Sequence, residues 1–244
     1  MRTGFIIALA LIATRAYGQD STIMALDLRK VPIGSWSEYS YSMKPANSTA
    51  MKITTRWSLV ARDVGTNTME MKTSGGPTAA VGGVFVVVMI MTADPTASPA
   101  PIKRVILQVG KTDPMELPLD PPILPILQTK FEKPDAKDLV GEGLVTVPAG
   151  TFKGIHYHRE NEKEIVDMWI SDGAPPLGIL RSTVRPIPGI LAENGQPPAV
   201  FTMELSASGH STKPTVTGPV KPFDPSMFGG VRKPSDQRSN GATK

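Results

Sequence analysis

Leu144-Val145-Thr146-Val147-Pro148-Ala149-Gly150-Thr151-Phe152 places two alternating runs on either side of Pro-Ala-Gly. Proline pre-sets φ for the first corner of a turn, and glycine tolerates the left-handed conformation that returns the chain to register. The stretch reads as an antiparallel β-hairpin. Side chains alternate along a strand. The outgoing strand therefore carries Phe152, Gly154, His156, His158 and Glu160 on one face, and Lys153, Ile155, Tyr157 and Arg159 on the other.

The period of two continues outward from this hairpin. Met51, Ile53, Thr55, Trp57 and Leu59 alternate with Lys52, Thr54, Arg56 and Ser58, as do Ser37, Tyr39, Tyr41 and Met43 with Trp36, Glu38, Ser40 and Ser42. Further strands are expected at 67–73, 82–92, 102–110, 163–171, 178–184 and 199–207, with turn residues between them. Helix signals are sparse: residues 20–28, and residues 122–131 with a proline start. The pattern predicts an all-β, mainly antiparallel fold of about nine or ten strands with one or two short helices.

After the hairpin come Asp167-Met168-Trp169-Ile170-Ser171 and the loop Pro175-Pro176-Leu177-Gly178. Together with Val147-Pro148-Ala149-Gly150-Thr151-Phe152 and the opening Val31-Pro32-Ile33-Gly34-Ser35-Trp36, this resembles exported bacterial β proteins of unknown function. Their layout is similar to the LolA/LppX-like superfamily of periplasmic lipoprotein and lipid carriers. The resemblance covers residues 30–207, with 145–180 its most specific part. It implies a curved, half-barrel-like sheet whose concave side is plugged by a helix or loop and holds acyl chains. Residues that would receive a lipoprotein from a membrane complex have no match here.

The ends differ from this middle. Residues 1–18 combine Arg2, an apolar run at 5–13 and Ala16-Tyr17-Gly18, the pattern of a signal peptide cut near Gly18. The expected location is periplasmic or extracellular. The run is about half of the roughly 20 residues a membrane-spanning helix needs, so a spanning segment is not expected. There is no cysteine for a disulfide or a lipoprotein anchor. Residues 19–208 are expected to form one domain, and 209–244, with five prolines, a disordered basic tail.

The net charge of +4 is unevenly spread. Residues 19–208 hold 18 basic and 20 acidic residues, whereas 209–244 hold six and two. A body of this balance argues against a nucleic-acid groove, which needs clustered basic residues.

Candidate chemistry is thin. His156 and His158 with Glu160 share a strand face and could hold a metal, but read as a solvated polar face. Asp167 beside Trp169 reads as an edge carboxylate and an indole. Residues 75–83 are glycine-rich without phosphate-loop spacing. Asn47-Ser48-Thr49 fits a glycosylation acceptor. No catalytic residue, metal or cofactor is assigned. Met69 and Met71, then Met89 and Met91, recur at i, i+2. Flexible methionine suits either a core or a surface for variable apolar ligands. Met69, Met71, Met89, Met91, Met168, Trp169 and Met203 are the candidate ligand-binding residues, with 121–131 as a lid. The expected function is non-enzymatic binding of a lipid or acyl ligand in the cell envelope. The alternative is an envelope interaction module whose tail contacts an anionic component.

Overall fold

A computed structural model of the chain describes residues 21–44, 51–75, 83–98, 100–120, 130–162, 164–189 and 199–224. Thirteen strands lie among them: β1 (Ser21–Ile23), β2 (Trp36–Lys44), β3 (Met51–Asp63), β4 (Thr66–Ser74), β5 (Val84–Thr92), β6 (Ile102–Val109), β7 (Met115–Leu117), β8 (Lys130–Glu132), β9 (Leu139–Val147), β10 (Gly150–Glu160), β11 (Glu164–Ile170), β12 (Ile179–Pro186) and β13 (Val200–Gly209). Eleven form one antiparallel sheet in the order β7-β6-β5-β4-β3-β2-β13-β12-β11-β10-β9. The sheet curves but stays open, with β7 and β9 as its edges, the half-barrel-like architecture expected from the sequence.

Short connections explain most of this order. Val64-Gly65 closes β3 onto β4 with Gly65 at φ +73°, and Pro148-Ala149 closes β9 onto β10. Bulges between Leu59 and Ala61, His156 and Tyr157, Trp169 and Ile170, and Leu205 and Ala207 add local bends.

The concave side is filled from two directions. Tyr39, Trp57, Leu59, Met69, Met71, Val87, Met89, Met91 and Leu107 project inward from the sheet. Met24, Leu28, Val31 and Phe131 meet them from the chain that crosses the concavity. Residues 21–28, the described part of the segment expected as a helix at 20–28, do not form one. Ser21–Ile23 instead pairs in parallel with Lys130–Glu132, and the chain then turns. Met24, Leu28 and Val31 reach the core from those turns, and Arg62 donates to the carbonyls of Leu28 and Val31 to hold them. Of residues 122–131, only the end is described, as the start of β8. Among the described residues the helical structure is one 3-10 turn, Ala136–Asp138. No helix among them is long and apolar enough to cross a membrane.

β5 is apolar on both faces, and the structure shows why. Its odd residues face the core, while Val86 and Val88 join Ile106 on the outer face. Val216 and Val220, from the segment after β13, cover that outer strip. Thr215 donates from its amide (2.7 Å) and hydroxyl (2.5 Å) to the carboxylate of Glu70. Lys221 bridges in parallel to Met115 at the β7 edge and pairs with Asp113 at 2.6 Å. Phe223 packs against the main core. Residues 209–224, expected as part of the tail, therefore lie as a strap on the sheet, since five flanking apolar side chains on the strip and the strap exclude water from one another. Residues 225–244, the signal-like 1–18, Asn47-Ser48-Thr49 and most of the glycine-rich 75–83 lie outside the described residues.

Candidate functional site

Strand register creates two inward rows on the β10–β2 half of the sheet. Tyr157, Met168, Ser182, Met203 and Tyr41 are successive partners across β10, β11, β12, β13 and β2. Arg159, Val166, Val184, Phe201 and Met43 form the next row. At about 4.8 Å between neighbouring strands, each row extends for about 19 Å. Such rows are continuous tracks of side chains rather than isolated contacts.

A cavity of about 690 Å³ opens over these rows. Val166, Met168, Ile179, Phe201 and Met203 give it an apolar wall, with Tyr41, Trp57, Tyr157, Arg159 and Ser182 as polar points. Ile23 from the chain crossing the concavity and Leu177 from the loop between β11 and β12 complete it. Burial pushes the Tyr41 hydroxyl up to about 12, so it remains a neutral donor at physiological pH. The Trp57 indole N–H faces that hydroxyl without a well-formed hydrogen bond.

The mouth is charged. It is built from the loop after β5 (Asp94, Thr96) and the chain after β8 (Lys133, Asp135, Lys137, Asp138). The Thr96 hydroxyl, 2.6 Å from Asp94, is foremost in holding that carboxyl below its ordinary range. The Lys137 amide and ammonium do the same for Asp135. These groups are exposed and screened by solvent, so they shape the mouth more than they stabilise the fold.

The candidate methionines divide. Met168 and Met203 line the cavity and are 6% and 7% exposed. Met69 and Met89 are direct cross-strand partners and, with Met71 and Met91, are enclosed in the core beside it. Trp169 faces the other way, because it is adjacent to Met168 on one strand.

On that outer face Trp169 stacks on His156, and Asp167 accepts from His158 at 2.9 Å and Arg185 at 2.7 Å. His156 is 3.4 Å from the same carboxylate. The two histidines thus share Asp167, with Arg185 on its other oxygen. Among the described residues no group of three acids or histidines is arranged to hold a metal ion.

The sequence reading missed Arg159, Tyr41, Phe201 and the charged mouth. Their signal was the inward parity of Arg159 with Tyr157, and of Tyr41 with Tyr39.

No protein-family model matches the chain, and no curated protein matches it. Among solved structures, the MucA/MucB complex of Pseudomonas aeruginosa aligns over 86% of this chain at 14% identity and TM-score 0.41. This chain spans 58% of the length of that one. A hypothetical protein of Chlamydia trachomatis aligns over 78% of this chain and 93% of its own, at 10% identity and TM-score 0.41. A LolA superfamily protein of Nitrosomonas europaea aligns over 86% of this chain and 97% of its own, at 10% identity and TM-score 0.22.

Proposed function

We propose that this is an exported, non-enzymatic protein that binds a lipid or other acyl ligand in the cell envelope, within the concave cavity. One observation carries the reading: a cavity of about 690 Å³ over two continuous inward rows, with Met168, Phe201 and Met203 on its wall. That volume falls within the roughly 300–1,000 Å³ of small-molecule sites. Flexible methionines accommodate apolar chains of different shape. Each methylene transferred from water contributes about 0.8 kcal/mol. The signal-like residues 1–18 support export. The polar cluster of His156, His158 and Asp167 is directed to the outer face, away from this cavity.

Native mass spectrometry of the chain purified from its own cells, followed by solvent extraction, tests the reading. A bound mass released by organic solvent and identified as lipid is the expected result. A ligand-free mass, with no uptake of palmitate by the extracted protein, overturns it in favour of an envelope interaction module.

A further inference from the structure

Arg159 stands in the second inward row, opposite Val166. It lines the cavity. Its side chain is 38% exposed, yet its Nε is buried and has no hydrogen-bond partner among the described residues. Its Nη2 forms an ion pair with the buried carboxylate of Glu164 at 3.7 Å, longer than a hydrogen bond and leaving Nε unsatisfied. Lys137 of the mouth is close enough to oppose it electrostatically. A buried donor without an acceptor is costly, and this one borders a cavity whose wall is apolar.

Three acids of the mouth, Asp94, Asp135 and Asp138, have other engagements. Asp94 is held by Thr96 and lies 3.8 Å from Arg29. Asp135 is held by Lys137 at 3.0 Å. Asp138 interacts electrostatically with Lys137, and Glu132 and Lys133 line the same opening. The guanidinium is the cationic group within the two inward rows themselves. Its planar fork matches the paired oxygens of a carboxylate or phosphate, and low-polarity neighbours strengthen such a pair.

We propose that Arg159 anchors the ligand's head, so that the ligand class is an acyl chain ending in an anionic carboxylate or phosphate. This rests on the cavity taking an apolar chain. The chain would lie along the row of Met168 and Met203, with its head oxygens accepting from the Arg159 fork.

Calorimetric titration of the full, solvent-extracted chain tests the proposal with four probes: dodecanoate, dodecan-1-ol, a dodecanoyl lysophosphatidylglycerol and inorganic phosphate. Arg159→Met is expected to weaken dodecanoate and the lysophospholipid at least tenfold, to leave dodecan-1-ol within twofold, and Arg159→Lys to recover part of the loss. Retained dodecan-1-ol binding also shows that the variant is folded. Stronger loss for dodecanoate identifies a carboxylate site, and stronger loss for the lysophospholipid a phosphate site; either supports the anchor. Unchanged dodecanoate affinity in Arg159→Met overturns the anchor while leaving the cavity reading intact. Inorganic phosphate binding as tightly as the lysophospholipid also overturns it, because the chain would then contribute nothing. Failure of all three amphiphiles to bind the unmodified protein overturns both.

Discussion

The imidazole of His156 lies flat on the indole of Trp169, with ring centroids 4.6 Å apart and planes 3° from parallel. The two are direct partners in the β10–β11 register, so the stack follows from strand pairing. Gly143 and Gly154 leave room for the indole: a Cβ at either would lie 3.3–3.4 Å from its ring carbons. The next outward pair, His158 and Asp167, closes the cluster with a 2.9 Å hydrogen bond. The cluster therefore braces the back of the strands whose inward residues, Tyr157 and Met168, line the cavity.

This bracing gives a pH dependence. Burial raises the affinity of the Asp167 carboxyl for its proton, but hydrogen bonds from His158 and Arg185 outweigh it and hold the group below the usual carboxylate range. A carboxyl depressed in the folded state stabilises the fold above its unfolded value of about 4. That contribution fades as pH falls through the unfolded value towards the folded one. Asp167→Asn is therefore expected to melt below the unmodified protein at pH 6, with the gap closing towards pH 3. A gap that stays constant over that range would show that the carboxylate's charge plays no part.

The strap makes a second prediction. Glu70 is 4% exposed, and Thr215 donates two short hydrogen bonds to it. Hydrogen bonds to a charged group contribute about 1.5–3 kcal/mol. Thr215→Val removes the hydroxyl donor and keeps the amide, so a loss of about 1–2 kcal/mol in urea unfolding is expected. Ending the chain after Gly209 uncovers Val86, Val88 and Ile106 together. That truncation is expected to raise binding of a hydrophobic dye and to promote aggregation. A truncated chain with unchanged dye binding and melting would mean that the strap does not seal the strip.

Gly178 sits at φ +80°, where a Cβ would lie 2.7 Å from Leu26 Cγ and 3.0 Å from the Ala25 Cβ. Ala25 donates to the Leu177 carbonyl at 2.9 Å, joining the crossing chain to the cavity wall. Gly178→Ala meets both the left-handed backbone cost, about 1–2 kcal/mol, and overpacking of about 1–3 kcal/mol. Chemical denaturation should show a loss of at least about 2 kcal/mol, together with weaker acyl binding, because Leu177 shifts with its neighbour.

How far the sequence carried this fold depended on what each residue's parity could decide. Alternation in 51–62 and the hairpin at 144–152 placed strands β3, β9 and β10 because both faces of each strand were chemically distinct. The run at 84–91 revealed a strand but not its two covers, since the strap that seals Val86 and Val88 lies more than a hundred residues away. Parity likewise put Trp169 opposite Met168, yet a shared apolar character grouped them as ligand residues. The division of the methionines was beyond pattern altogether: all but Trp169 of the candidates face inward, and whether an inward side chain meets core or cavity is set by sheet curvature. Met24, Leu28 and Val31 show the converse, with helix-like spacing satisfied by turns because Arg62 and β8 supply the hydrogen bonds.

That division can be tested directly. Met203 stands between Ser182 and Tyr41 in the row beneath the cavity, so a larger ring there projects into the cavity space. Met203→Trp is expected to abolish dodecan-1-ol binding while the melting temperature of the ligand-free protein changes little. Met69→Leu makes the opposite case. Its partner Met89 and its neighbours enclose it fully, and a volume-conserving swap in such a core costs less than about 1.5 kcal/mol. Binding by that variant should match the unmodified protein. Ligand linkage supplies the reading: a ligand at a hundred times its Kd stabilises the fold by about 2.7 kcal/mol, so saturating alcohol should raise the melting point of the unmodified protein and of Met69→Leu alike, and leave Met203→Trp unmoved. A shift that survives in Met203→Trp but disappears in Met69→Leu would relocate the site to the β4–β5 half of the sheet.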